Sequence, residues 1–271
     1  MAARILITGG LGNLGSKLSA HLRAMGYSDV IAFDRAGGAN LLGDISRYDE
    51  AWAQGFAGVT CVFHFAAAAA PTEVWEDVLP INIVGTQNVL KAMKRYAPGA
   101  RIVFASTNHV MGGYRFRDGP VTEDMPPAPF TPYGISKLVG EQLCRAYVAD
   151  GHGSAIALRI GYCQTGDNIP GPHMHMGSWG QQMWLSNRDM LAALQGAIEA
   201  TEPGFAILNL TSDNPGMRWD LSAARRVIGY SPQDGHELVM TPSVADDDAR
   251  SRAGVLHSWQ TLVDLKPWLG F

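Results

Sequence analysis

ILITGGLGNLGS, residues 5–16, joins an apolar run of strand character to a turn that contains four glycines. Gly10, Gly12 and Gly15 satisfy the pattern G-x-G-x-x-G, and Gly9 extends it to the wider G-x-x-G-x-x-G. Glycine permits a tight turn, lets backbone N–H groups approach a pyrophosphate, and lets the next helix pack closely. Because this turn follows a strand and opens a helix, it predicts a dinucleotide-binding loop. The residues expected to contact the dinucleotide are Gly9, Gly12, Asn13, Leu14 and Gly15.

Short apolar runs alternate with segments of helical length along the rest of the chain. The runs are continuously apolar, as parallel strands covered on both faces require, and the alternation predicts an α/β Rossmann fold with a doubly wound parallel sheet. Strands are predicted at Arg4–Thr8, Val30–Phe33, Val59–Phe65, Arg101–Ser106, Ala155–Ile160 and Phe205–Leu210. Helices are predicted at 13–26, 73–96, 132–150 and 187–201, with a short one over Asp220–Tyr230 that ends at Gly229.

This pattern predicts a core and a small C-terminal substrate-binding lobe. The core comprises residues 1–160, with strand 205–210 returning to the sheet, and the lobe comprises 161–204 and 211–271. Two loops, 112–130 and 161–185, follow strands directly. Ligands of open α/β sheets bind outside the carboxyl ends of the strands, so these loops are the expected substrate-binding elements.

Composition narrows the range of partners. The chain has 271 residues, 46% hydrophobic and 17% charged, with a net charge of −4, which is typical of a globular protein and argues against disorder. It has no basic stripe, no apolar run of about 20 residues and no signal-peptide pattern. We therefore expect neither nucleic acid nor membrane as a partner. The three cysteines, Cys61, Cys144 and Cys163, are few and far apart, which fits the reducing cytoplasm.

The second strand ends at Asp34, about 20 positions after the glycines, where an acidic side chain binds the adenosine ribose. Its carboxylate would repel a 2′-phosphate, so we predict NAD rather than NADP as the cofactor. The neighbouring Arg35 could accept that phosphate and leaves the degree of selectivity open. Asp44 and Ile45 are expected near the adenine.

Tyr133 and Lys137 are four residues apart, on one face of a predicted helix. The phenol of free tyrosine has a pKa of about 10, so a tyrosine that acts as a base needs a neighbouring cation, which Lys137 could supply. Ser106, Thr107 and Asn108 end a strand with two hydroxyls and an amide, which could orient a substrate hydroxyl toward Tyr133.

In their order and spacing these motifs resemble the extended short-chain dehydrogenases/reductases, the NAD-dependent epimerase/dehydratase superfamily. The shared motifs also include His64-Phe65-Ala66-Ala67 and Asn82 with Gly85-Thr86. Within that family the chain is most similar to the uronate dehydrogenases, in the stretches 104–109 and 158–163 and at Trp184, Ser186 and Asp189. The resemblance implies NAD-dependent oxidation of a sugar at C1 to the lactone.

The resemblance also implies roles for individual residues. Tyr133 would be the general base, Lys137 would lower its pKa, Thr107 would orient the substrate, and Asn108 and His109 would bind the sugar. Further cofactor contacts are implied at Phe65, Ala66, Ala67, Asn82, Ser106 and Ile160. Subunits would pair through the helices at 73–96 and 132–150, as a homodimer or higher homo-oligomer.

The substrate loop departs from the uronate dehydrogenases. Their carboxylate-binding arginine aligns with Trp179, and a sugar-contacting serine aligns with Ala69. The sugar is therefore left open among a uronate, a neutral aldose, a sugar phosphate and a sulfonated sugar. Tyr162, Trp179 and Trp184 are candidate substrate contacts, although both tryptophans could simply pack the loop. His173 and His175 could bind an anionic group of the substrate, and without further ligands at suitable spacing they predict no metal site.

Two other functions compete with the dehydrogenase. A sugar epimerase would keep its NAD and return the hydride, and would form no net NADH. A non-catalytic dinucleotide sensor would bind NAD without turnover, but the presence of both Tyr133 and Lys137 argues against it.

Overall fold

A single parallel sheet organises the molecule, in a computed structural model that describes residues 3–115 and 117–250. Within these residues its strands are β1 (Arg4–Thr8), β2 (Asp29–Asp34), β3 (Leu41–Leu42), β4 (Cys61–His64), β5 (Arg101–Thr107), β6 (Ser154–Ile160) and β7 (Phe205–Leu210). Their order is β3-β2-β1-β4-β5-β6-β7, and every pairing is parallel. This arrangement confirms the predicted doubly wound α/β fold, and its strand order reverses direction between β1 and β4.

Helices cover the sheet and connect its strands. They are α1 (Asn13–Ala24), α2 (Glu50–Ala53), α3 (Trp75–Val78), α4 (Gly85–Tyr96), α5 (Pro132–Ala149), α6 (Gly177–Gln182), α7 (Asn187–Glu199) and α8 (Ser222–Ile228). Residues 242–250 are also helical. Short 3₁₀ segments lie at Gln54–Phe56 and Asn108–Tyr114.

The helix predicted over 73–96 runs without a gap from Trp75 to Tyr96, but its middle part is π-helical. It consists of α3, a π-helical segment Leu79–Val84, and α4. Pro80 lies at the start of the π-helical segment, and because proline has no backbone N–H it removes one donor from the regular ladder. The loop predicted over 161–185 contains α6, and the loop predicted over 112–130 begins inside the 3₁₀ segment Asn108–Tyr114.

The predicted helix boundaries at residues 131, 186 and 229 are confirmed by their caps. Thr131 Oγ1 accepts a hydrogen bond from Gly134 N at 3.1 Å, directly before Pro132. Ser186 Oγ accepts one from Asp189 N at 3.0 Å. Gly229 ends α8 with a φ of 65°, a left-handed conformation that favours glycine.

Apolar side chains pack on both faces of the sheet. Ile5 and Ile7 of β1 contact one cluster, with Leu18 and Leu22 of α1, and Leu6 contacts the other. A third cluster lies outside the sheet and joins the 3₁₀ segment Asn108–Tyr114 to α6 through Val110, Met111, Trp179, Met183 and Trp219. This third cluster holds the elements that follow β5 and β6 against each other.

Part of the predicted C-terminal lobe, residues 251–271, lies outside the described residues. Over the residues that are described, no helix combines the length and hydropathy that a bilayer span requires.

Candidate active site

A crevice of about 730 Å³ opens at the carboxyl ends of β1, β2, β4, β5 and β6. Its wall includes all of the predicted dinucleotide contacts except Asn82. These are Gly9, Gly12, Asn13, Leu14, Gly15, Asp34, Arg35, Asp44, Ile45, Phe65, Ala66, Ala67, Ser106, Tyr133, Lys137 and Ile160. Thr107 and Ala69 line the same crevice. The structure thus brings together residues that are widely separated in the sequence.

Asn82 lies beneath this wall. Its Oδ1 accepts a hydrogen bond from Ala68 N at 2.8 Å, and its Nδ2 donates to Ala68 O at 3.0 Å and to Ser136 Oγ at 2.9 Å. Asn82 therefore fixes the strand-end segment 66–69 to α5 from a buried position.

The glycine loop has the tight packing that a pyrophosphate cradle requires. A Cβ on Gly9 would lie 2.8 Å from Ala66 N, and one on Gly15 would lie 2.2 Å from Gly9 O. Asp34 Oδ2 accepts a hydrogen bond from Leu11 N at 3.0 Å, so its carboxylate is held beside the loop. The residues present therefore fit a dinucleotide, with its phosphates at the N-terminus of α1.

Tyr133 and Lys137 lie in the first turns of α5 and are both buried. Burial raises the pKa of Tyr133 to about 12, although a hydrogen bond with Thr107 acts in the opposite direction. Burial also lowers the pKa of Lys137 to about 8. The protein alone therefore keeps Tyr133 as a phenol, and a positive charge bound beside it would lower its pKa.

Ser106 lines the crevice, but its hydroxyl donates to Glu141 Oε1 at 2.6 Å. Glu141 in turn accepts hydrogen bonds from Arg159 Nε at 2.9 Å and Nη2 at 3.0 Å, and both side chains are fully buried. Glu141 thus joins α5 to β5 and β6. Its partners Ser106 and Arg159 directly precede Thr107 and Ile160, which line the crevice. The sequence analysis did not identify this pair. The spacing could have indicated Glu141, because it lies four residues after Lys137 and therefore on the same face of α5.

A second, smaller cavity has a volume of about 160 Å³. It is lined by Pro71, His109, Gly112, Arg115, Phe130, Thr131, Met176 and Trp179. The rings of His109 and Tyr133 are 5.9 Å apart, edge to face, so His109 adjoins both Tyr133 and this cavity. Burial lowers the pKa of His109 to about 4, which leaves its ring neutral near pH 7. Arg115 was not among the predicted site residues.

Asn108 is 1% exposed, and neither its Nδ2 nor its Oδ1 has a hydrogen-bond partner among the described residues. A buried amide without partners is costly, so its position next to Thr107 suits a residue that bonds to a bound ligand.

Four other predicted substrate contacts line neither cavity: Tyr162, His173, His175 and Trp184. Trp184 is buried and its Nε1 donates to Asn168 O at 3.0 Å. His173 Nε2 is 2.8 Å from Gln164 Oε1, and His175 N contacts the Tyr162 hydroxyl at 3.5 Å. Trp179 does line the second cavity, but its ring packs 4.1 Å from that of Trp219. The Trp184 indole is thus packed within the loop 161–185.

His64 joins β4 to its neighbours and does not face the crevice. Its Nδ1 is 2.7 Å from Thr8 Oγ1, its Nε2 is 2.9 Å from Thr86 Oγ1, and burial lowers its pKa to about 3. Within residues 3–115 and 117–250, no three His, Cys, Asp or Glu side chains are grouped to hold a metal ion.

The sheet, the glycine loop and the Tyr133–Lys137 pair together define a dinucleotide-binding protein of the Rossmann class. More specifically, the chain belongs to the NAD dependent epimerase/dehydratase family, whose sequence model matches residues 5–168. This confirms the predicted family.

Two sequence relatives and one solved structure illustrate the similarity. L-Arabinose 1-dehydrogenase (NAD(P)(+)) of Haloferax volcanii is 33% identical over 88% of this chain and 99% of its own length. Uronate dehydrogenase of Pseudomonas syringae pv. tomato is 29% identical over 90% of this chain and 89% of its own. A structure of uronate dehydrogenase from Agrobacterium tumefaciens complexed with NAD superposes with a TM-score of 0.72 and 26% identity, over 86% of this chain and 85% of the other.

Proposed function

We propose that this protein is an NAD-dependent dehydrogenase that oxidises the C1 hydroxyl of a monosaccharide to the lactone. The observation that carries the proposal is the meeting of Tyr133, Lys137 and Thr107 on one wall of the dinucleotide crevice, beside a second cavity. The relatives support it, because both are named as dehydrogenases of sugars or sugar acids.

The cofactor would be held by three groups of the protein. Backbone N–H groups of the glycine loop would bind the pyrophosphate, the Asp34 carboxylate would accept from the adenosine ribose, and Lys137 would hold the nicotinamide ribose. Arg35 stands beside Asp34 and would set how strongly NAD is preferred over NADP. The oxidised nicotinamide supplies the hydride acceptor and a positive charge.

The side chains around Tyr133 would carry the proton chemistry. Thr107 orients the substrate hydroxyl, and Tyr133 takes its proton. Tyr133 must be ionised before this transfer, and Lys137 favours that ionised form, since an adjacent cation stabilises a phenolate. Asn108 and His109 would bind the other hydroxyls, because the Asn108 amide has no partner among the described residues. A positioned base contributes about 10² to 10⁴ in rate.

The test is formation of NADH from NAD by the purified protein with a panel of aldoses, uronates and sugar phosphates. Tyr133→Phe should reduce kcat by at least about 10² and leave the Kd for NAD nearly unchanged. Unchanged turnover in Tyr133→Phe would overturn the assignment of the base. Binding of NAD with sugar isomerisation but no NADH would instead indicate an epimerase, and binding with no turnover at all would indicate a sensor.

We also propose which parts of the chain bind the cofactor and the substrate, and how two copies of the chain associate. Residues 1–160 with strand 205–210 would bind the cofactor, and residues 161–204 and 211–271 would complete the substrate side.

One stretch of the chain exposes four large apolar residues: Val74, Trp75, Leu79 and Val84. This exposure supports homodimerisation through the helical segment 73–96. Trp75→Glu should then shift the mass measured by light scattering to that of the monomer.

The cytoplasm is the compartment that we propose. Cys61, Cys144 and Cys163 are all free thiols in the structure, which suits a reducing environment.

A further inference from the structure

One residue, His109, links the second cavity to Tyr133. His109 lines this cavity, and its ring packs against that of Tyr133. If C1 of a sugar lies at Tyr133, as the proposed function requires, substituents on the far side of the ring are within reach of this cavity. Its charge should therefore decide which sugars are accepted.

Arg115 is the one charged side chain among the described residues that line this cavity, since His109 is neutral near pH 7. Its side chain is only 8% exposed, and its Nη2 donates to Met176 O at 2.5 Å. A buried guanidinium here could attract a carboxylate or a phosphate group of a substrate. Whether it does so depends on the charges around it.

Asp248 also lies close to this guanidinium. Its Oδ1 is 3.7 Å from Arg115 Nη2, and both Asp248 and the adjacent Asp247 are close enough to favour the charged form of Arg115. Asp247 Oδ1 also pairs with Arg250 Nη2 at 3.1 Å, so two cations face two carboxylates and the local charge is balanced rather than positive.

Both carboxylates are held in place by the backbone of α6. Asp247 Oδ2 accepts a hydrogen bond from Gly177 N at 3.0 Å, and Asp248 Oδ1 accepts one from Ser178 N at 3.1 Å. These bonds tie the helical residues 242–250 to the start of α6, directly beside Met176. An incoming anion could not displace Asp248 from Arg115 without also breaking the bond to Ser178.

We propose that Asp248 determines substrate specificity by neutralising Arg115, so that the enzyme selects uncharged aldoses over uronates and sugar phosphates. The second cavity would take a hydroxyl or hydroxymethyl group, and an anion would be buried there without net compensation. Glu73 and Asp77 line the main crevice near Ala68 and Ala69, and they add negative potential on the approach.

The experiment compares galactose with galacturonate, and glucose with glucuronate, because the members of each pair differ only at C6. The wild-type protein should favour the neutral member in kcat/KM by about tenfold or more, which corresponds to about 1.4 kcal/mol. Asp248→Asn keeps an amide oxygen that can accept from Ser178 N but removes the charge. It should lower the ratio of neutral to acidic turnover by about tenfold, mainly through a lower KM for the uronate.

Asp246→Asn is the matched control, because Asp246 is an exposed neighbour on the same helix. It should leave the ratio unchanged. A wild-type preference for the uronates, or an unchanged ratio in folded Asp248→Asn, would overturn this inference but leave the proposed function standing. Absence of NADH formation with all four sugars and with arabinose would refute the proposed function, and this inference with it. If Asp248→Asn does not fold, the wild-type ratio and the same comparison in Asp247→Asn decide the matter.

Discussion

Glu141→Gln should destabilise the protein strongly, although it only replaces one carboxylate oxygen with an NH₂ group. Glu141 and Arg159 are 0% and 1% exposed, and the carboxylate accepts two hydrogen bonds from the guanidinium and one from Ser106. Removing the negative charge leaves the buried Arg159 cation without its ion-pair partner. Breaking such a pair costs about 3–5 kcal/mol, against a total stability of about 5–15 kcal/mol for a typical protein.

The free energy of unfolding would be measured by urea denaturation, followed by the fluorescence of the seven tryptophans and by far-ultraviolet circular dichroism. The double variant Glu141→Met with Arg159→Met is the informative control. It removes both charges and keeps similar volume, so it should lie within about 2 kcal/mol of the wild type or above it. Glu199→Gln, at an exposed glutamate, should change stability by at most about 0.5 kcal/mol.

Two results would refute this reasoning. The first is a Glu141→Gln variant within about 0.5 kcal/mol of the wild type, since that would mean that the buried charge is compensated by other groups. The second is a double variant that is as unstable as the single one, because the loss would then come from packing or from the Ser106 hydroxyl.

Three further predictions concern the cofactor loop and the pH dependence. Asp34→Ala should lower the preference for NAD over NADP by roughly tenfold, the value of one hydrogen bond to a charged group, and an unchanged ratio of the two Kd values would exclude its ribose role. Gly15→Ala should cost about 1–3 kcal/mol of stability and weaken NAD binding, because its Cβ would lie 2.2 Å from Gly9 O. Gly37→Ala, where a Cβ meets nothing within 4 Å, is the control. The KM for a neutral sugar should be constant from about pH 5.5 to about pH 8, because the pKa of His109 is lowered to about 4 and its ring stays neutral throughout this range. A change in KM near pH 6.5, the ordinary pKa of a histidine, would show that the ring is solvated.

The main strands of the sheet could be predicted from the sequence because their signal is local. Each is a short apolar run that is buried on both faces, and the structure places β1 and β7 at the predicted residues. The short strand β3 has no such run. Leu41 and Leu42 are recognisable as a strand only through their pairing with Phe33 and Asp34, which is a property of the folded chain.

The same distinction applies to the site. The glycine loop, Tyr133 and Lys137 lie at the ends of regular elements, where residue type and spacing carry the information. Arg115 lies at the end of a glycine-containing 3₁₀ segment, and no motif in the adjacent sequence indicates that its side chain lines a cavity. The hydroxyl of Ser106 was expected to face the cofactor, and its bond to Glu141 could not be foreseen without knowing how α5 lies on the sheet.

The groups that would perform the chemistry and those that would select the sugar therefore depend on different parts of the structure. Thr107 ends a strand of the sheet, and Tyr133 lies on a helix that Glu141 fastens to that strand and its neighbour. Arg115 and Asp248 meet only because the third apolar cluster, with Val110 and Trp179, holds the 3₁₀ segment against α6. A substitution that loosens this cluster should leave the sheet and the base in place but alter the fit of the sugar. Changes in specificity are consequently expected from the packing of this cluster, at positions that need not touch the substrate at all.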